Sequence, residues 1–196
     1  LPTFRPYVMS YGADYPALAK IHGRPAWKWK ALRAVAVRRA KKVLVPNERM
    51  AYDLMERYPY ARIVHHPNWV DGQMFQPLQA IVQRPKMVLY VGRLVKEKNL
   101  ATLARAITLL GVEFLCIGDG PMQGELEALG ANCIGPVNWS KLPGWYQAAD
   151  VFALPSLSEG HPKALTEAMA CGLPCLVSEA VTEGGNAVLR VKPDDF

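Results

Sequence analysis

Two carboxylates, two cations and the start of one helix are where the types and spacing of residues in this sequence point to chemistry. In SLSEGHPKALTEAMACGLPCLVS, residues 156–178, Glu159 and Glu167 stand eight positions apart. The first falls in a loop and the second about a turn and a half inside a predicted helix. Pro162 suits the first helical position, where its missing N–H would have been unpaired anyway, and Gly172 with Pro174 ends the helix. A helix that starts at the carboxyl edge of an open α/β sheet presents free amides, here those of about Lys163, Ala164 and Leu165, and its dipole favours an anion. Beside a phosphate, a negative charge is unfavourable unless it serves hydroxyls. Sugar hydroxyls therefore suit Glu159 and ribose hydroxyls suit Glu167, since a carboxylate can accept two hydrogen bonds from a vicinal diol. The competing reading is a helix-start glutamate and an exposed Lys163–Glu167 pair, worth about 0.3–0.5 kcal/mol.

The cations lie in YVGRLVKEKN, residues 90–99, where a strand ends at Gly92 and Arg93 and Lys98 straddle the following loop. Gly92 permits close approach of a ligand to the backbone. Arg93 by its fork and Lys98 as a point charge suit a diphosphate clamp, each charge-assisted hydrogen bond contributing about 1.5–3 kcal/mol. Two basic residues in a loop are by themselves a solvated surface; their place at a strand's carboxyl end is what argues for more. A third turn, IGDGPM at 117–122, brackets Asp119 between Gly118 and Gly120 and is expected to leave backbone groups exposed at the same edge. It is half of a dinucleotide-binding fingerprint without the third glycine, which disfavours a nicotinamide dehydrogenase. A glycoside hydrolase would need its carboxylates facing each other about 5–9.5 Å apart and has no use for a cation pair. Adjacent His65 and His66 point to opposite sides of an extended segment, and His22 and His161 are isolated, so no metal is assigned.

The elements that must position these residues read as α/β. From about residue 86, short apolar runs (87–92, 112–118, 132–137, 151–156, 173–178) alternate with amphipathic stretches (99–110, 122–129, 140–149, 163–171), the pattern of a doubly wound, Rossmann-like parallel sheet. Residues 6–12, 27–40, 42–47 and 49–57 repeat strand and helix more weakly, as the end of a second α/β domain. The proline-bearing segment 65–85 reads as the connection. The expected division is a partial domain with linker over 1–78 and a nucleotide-binding domain over 79–196.

With 196 residues, half of them hydrophobic, one core and part of a second are within reach. No run of about 18 uncharged apolar residues is present and no signal-peptide pattern opens the chain, so a soluble, cytoplasmic protein is expected, with Cys116, Cys133, Cys171 and Cys175 as reduced, buried thiols. The net charge of +6 favours an anionic partner. Residues 20–42 hold nine basic residues, no acidic one, and Trp27 and Trp29. That composition fits either a solvated helix face or peripheral contact with an anionic membrane; no nucleic-acid motif accompanies it.

Taken together, GRLVKEKN, IGDGP, GPVNW (135–139) and EGHPKALTEAMACGLP resemble glycosyltransferase family four, the retaining, group 1 type with the GT-B architecture of two Rossmann-like domains. The resemblance implies a nucleotide diphosphate sugar as donor, an acceptor glycan or glycolipid, transfer to its hydroxyl with retention of configuration, and no cofactor or metal. Arg93 and Lys98 would hold the diphosphate, Glu159 the transferred sugar and Glu167 the ribose. Backbone at Gly160, His161, Pro162, Lys163, Ala164 and Leu165 would approach sugar and phosphate, while Gly92, Gly118, Asp119, Gly120 and Val137 would border the donor and its base. Catalysis would rest on Arg93, Lys98 and Glu159. The amino-terminal YGAD (11–14), KKVLVPNERMAYDL (41–54) and IVHHPNWVDGQMF (63–75) fall where the family's acceptor domain ends. Tyr11 replaces a histidine and Trp69 a glycine of the family pattern. The resemblance also implies a fragment, lacking earlier strands with a glycine-rich loop and a final helix. The alternatives are a non-catalytic nucleotide-sugar-binding module or an inactive truncated transferase.

Overall fold

The computed structural model describes residues 8–10, 23, 25–78, 86–193 and 195. Tyr11 and the YGAD motif, His22, the first part of the basic stretch and the 79–85 end of the connecting segment lie outside the described residues. Two compact units are present, one drawn from the chain up to Asn68 together with Ser158–His161, the other from Trp69–Leu157 and Pro162–Phe196.

The first unit orders β1 (Val8–Ser10), α1 (Ala26–Arg39), β2 (Lys42–Val45), α2 (Glu48–Arg57) and β3 (Ile63–His65) around a parallel β1-β2-β3 sheet. Alternation in KVLV buries Val43 and Val45 on the core side, where Leu54 of α2 and Val37 of α1 meet them. Asn47 starts α2, its Oδ1 accepting from the Met50 amide at 2.8 Å.

The second unit holds β4 (Met87–Val91), α3 (Leu100–Leu110), β5 (Glu113–Ile117), α4 (Gln123–Ala128), β6 (Asn132–Cys133), α5 (Leu142–Ala148), β7 (Val151–Leu154), α6 (Lys163–Ala170), β8 (Cys175–Ser178) and β9 (Val188–Val191). Its six strands are all parallel in the order β6-β5-β4-β7-β8-β9. The chain enters at β4, steps outward to β5 and β6, then crosses to the far side of β4 and continues outward. This is the doubly wound, Rossmann-like sheet expected from the sequence. The inner strands are apolar on both faces because helices cover both, and α3 buries Leu100, Leu103, Ala104 and Ile107 at i, i+3, i+4, i+7.

Two strands were not anticipated. Ile63–His65 is only three residues long and merges with the connecting segment, while Val188–Val191 is an outer strand whose Leu189 is exposed; neither offers enough periodicity to be read. The predicted strands 87–92, 112–118 and 151–156 end early, leaving Gly92, Gly118 and Pro155–Ser156 to the loops. Cys116, Cys171 and Cys175 are buried and Cys133 half-buried, all four as free thiols. Burial pushes the Cys171 thiol up to about 11 and that of Cys175 up to about 12.

Candidate functional site

Strands β4 and β7 lie side by side in parallel, Val88 opposite Val151 and Leu89 opposite Phe152, so both carboxyl ends open on one edge of the sheet. The strand order reverses between them. In such sheets the loops diverging from that point leave a crevice for a ligand. The β4 loop runs through Gly92 and Arg93 into a 3₁₀ turn, Lys96–Lys98, and the Leu157 amide of the β7 loop donates to the Glu97 carbonyl at 2.8 Å. The cation loop and the loop leading towards α6 are therefore bonded to each other.

Within the cation loop, the Arg93 guanidinium is 70% exposed and stands 3.7 Å from Glu97 Oε1, whose side chain is 7% exposed. The Arg93 carbonyl accepts from the Tyr90 hydroxyl at 2.9 Å, fixing the backbone that carries the guanidinium. Lys98 is half-buried at the end of the 3₁₀ turn.

The glycines of this edge lie where neighbouring loops approach one another. The Gly92 amide donates to the Ile117 carbonyl, Leu94 to Asp119, Met122 to Leu94 and Gly118 to Gly135, at 2.7–3.0 Å, so the loops after β4, β5 and β6 are sewn together. Gly118 has φ +135° and Gly120 φ +151°, and a Cβ on either would run into the backbone carbonyl of Gly92 or Leu94. Neighbouring backbone occupies the room that the missing side chains leave at these two positions. Asp119 is exposed and Val137 half-buried on the same edge.

At α6, Pro162 caps the helix instead of opening it, with ψ 110° and its carbonyl accepting from Leu165 at 3.2 Å and Thr166 at 3.4 Å. The Leu165 amide is thus spent and its side chain is in the core. Among the described residues no acceptor is bonded to the amides of Lys163 and Ala164, which remain as the outward donors of the helix start. Glu167, one turn further, is 8% exposed, which removes the exposed Lys163–Glu167 pair. Its Oε1 accepts from the Trp139 indole at 3.0 Å and its Oε2 from the Tyr146 hydroxyl at 2.8 Å. Burial, and then the adjacent Glu167 charge, push the Tyr146 hydroxyl far above its ordinary range, so it stays a donor.

Glu159, Gly160 and His161 belong to the segment that groups with the first unit. There the Gly160 carbonyl accepts from Asn47 Nδ2 at 3.0 Å and the His161 carbonyl from Asn68 Nδ2 at 2.8 Å. Glu159 and His161 are half-buried, and His161 Nδ1 is buried without a hydrogen-bond partner among the described residues. Sequence reasoning missed Asn47, Asn68, Trp139, Tyr146 and Glu97. Asn47 does carry a local signal, an asparagine just before a helical run, but its second partner lies 113 positions away.

A parallel, doubly wound sheet in this strand order defines a Rossmann-like domain of the GT-B type. The family model for glycosyl transferases group 1 matches residues 85–196, and the chain belongs to that family. The putative glycosyltransferase EpsF of Bacillus subtilis is 33% identical over 144 residues, covering 63% of this chain and 38% of that protein. An Escherichia coli protein, UDP-Gal:alpha-D-GlcNAc-diphosphoundecaprenol alpha-1,3-galactosyltransferase, is 32% identical over 158 residues, covering 66% and 39%. Anabaena HepE, solved with UDP and glucose, superposes with a TM-score of 0.73 at 19% identity, covering 97% of this chain and 58% of that one. This chain spans about two-fifths of the length of the two relatives.

Proposed function

We propose that this protein transfers a sugar from a nucleotide diphosphate sugar to an acceptor hydroxyl, with retention of configuration, in the synthesis of a polysaccharide or glycolipid. The observation that carries this reading is the bonded pair of loops at the β4–β7 switch point, one bearing Arg93 and Lys98 and the other leading to the free amides of α6. In this reading Arg93, Lys98 and the Lys163 and Ala164 amides take up the negative charge that grows on the diphosphate as the bond to the sugar breaks, the kind of preorganised electrostatic contribution that often dominates catalysis. Glu159 serves the sugar hydroxyls and Glu167 the ribose, with Gly118, Asp119, Gly120 and Val137 along the base. Those cations and amides do the work that a divalent ion would otherwise do at the diphosphate. Family membership supports the reading, as do the UDP-Gal and lipid-diphosphate in the name of the E. coli relative and the UDP in the HepE structure.

Titration with nucleoside diphosphates and the matching free nucleosides tests it. Replacing Arg93 or Lys98 with alanine should weaken the diphosphate roughly 10- to 150-fold and leave the nucleoside nearly unchanged. Equal loss for both ligands removes these residues from the phosphate site. Diphosphate binding without release of nucleoside diphosphate from any donor sugar would favour the non-catalytic binding module.

A second partner is favoured by α1. This helix buries Arg33 and Val37 on one face, yet Trp27, Leu32 and Val35 are exposed on the other beside Lys28 and Arg39. An aromatic and aliphatic stripe edged by cations, in a stretch with no acidic residue, complements an anionic lipid surface. Peripheral contact with such a membrane is the inferred role of this face. No helix among the described residues is long and apolar enough to cross one.

A further inference from the structure

We propose that Trp139 is a positioning residue for donor recognition: its indole N–H, together with the Tyr146 hydroxyl, sets the plane in which Glu167 meets the two ribose hydroxyls. The inference rests on the ribose reading of Glu167 and deepens it.

Glu167 is buried, and a buried carboxylate is tolerated as an anion only when donors are aimed at it. Two are, one on each oxygen, Trp139 Nε1 at 3.0 Å and Tyr146 Oη at 2.8 Å. An indole N–H only donates, and the phenol is held protonated by its own burial and by the Glu167 charge, so Glu167 is committed to accepting. A carboxylate offers about two acceptor sites on each oxygen. With one site on each oxygen filled by protein, one on each is left, the pattern that matches a vicinal diol.

The clamp is braced from behind. Phe75 packs against Trp139 at 5.4 Å between ring centroids and edge-on against Tyr146 at 6.0 Å, so one buried ring supports both donors. Asn138 caps the 3₁₀ turn Trp139–Lys141, its Oδ1 accepting from the Ser140 amide at 3.0 Å, which fixes the backbone under the indole. Trp139 is 44% exposed, an uncommon placement for a side chain this large whose only polar atom is engaged, and it lies in the turn that follows β6 on the switch-point edge.

The test compares binding of ribonucleoside diphosphates with their 2′-deoxy counterparts, using UDP, GDP and ADP as probes, in the wild type and in Trp139→Phe, Trp139→His and Tyr146→Phe. The wild type should prefer the ribose form by roughly tenfold for the base it binds. Trp139→Phe keeps an aromatic ring but removes the donor and should bring that preference to within about twofold, while Trp139→His, which restores an N–H, should recover part of it. Tyr146→Phe removes the second donor and should erode the same ratio. A variant that folds poorly loses both ligands together and leaves the ratio among the remaining native molecules in place, so the ratio separates positioning from stability. A Trp139→Phe protein that still binds and retains the full ribose preference overturns the proposal while leaving the ribose reading intact; if that variant binds neither form, an unchanged ratio in Tyr146→Phe overturns it instead. A wild type with no ribose preference ends the ribose reading itself, and this proposal with it.

Discussion

Gly118 illustrates how closely backbone approaches backbone at the sheet edge. Its φ of +135° is one that L side chains rarely adopt, and a Cβ there would collide with the Gly92 carbonyl, the residue immediately before Arg93. Gly118→Ala is therefore expected to cost about 2–4 kcal/mol through strain and overlap together. In a thermal melt this should lower the transition by roughly 5–15 °C. It should also weaken nucleoside diphosphate binding, because the displaced loop is the one that carries the guanidinium. A melt within error of the wild type would show that the loops yield easily and that Gly118 is not needed for their approach. Glu167 makes a related point about charge. Its chemistry is set less by its own type than by the indole and phenol aimed at it from the turn after β6 and from α5.

Among the elements, α1 departs from the usual economy of a surface helix. Apolar residues lie on both of its faces, and among the described residues it is the face with Val37 that packs into the core of the first unit. Leu32→Glu combined with Val35→Glu places like charges where an anionic bilayer would sit, so cosedimentation with phosphatidylglycerol-containing vesicles at low salt should fall several-fold, while neutral vesicles bind little in either case. Absence of binding by the wild type at low salt would end the membrane assignment. Self-association that the double variant abolishes would identify a second copy as the occupant instead. The start of α6 is the other element whose placement matters, since Pro162 at the cap spends the Leu165 amide and leaves Lys163 and Ala164 as donors.

For the whole molecule, the proposed electrostatics require no divalent ion, so nucleoside diphosphate release by the protein carrying this chain should change less than about twofold in excess EDTA. A loss restored by added magnesium or manganese would place a metal at the diphosphate. The alternation of apolar runs and amphipathic stretches was sufficient to establish a doubly wound sheet and to put Arg93, Lys98 and the α6 start on its carboxyl edge, because period and chain order are local properties. Sequence also singled out Glu167, but as one of two open readings. Tertiary structure alone decided that this carboxylate is buried between Trp139 and Tyr146, that Gly118 and Gly120 accommodate neighbouring loops, and that Asn47 and Asn68 hold the carbonyls of Gly160 and His161. Those contacts join residues from 21 to 113 positions apart. No local pattern records such partners, since a hydrogen bond between distant segments depends on where the packed core has brought them.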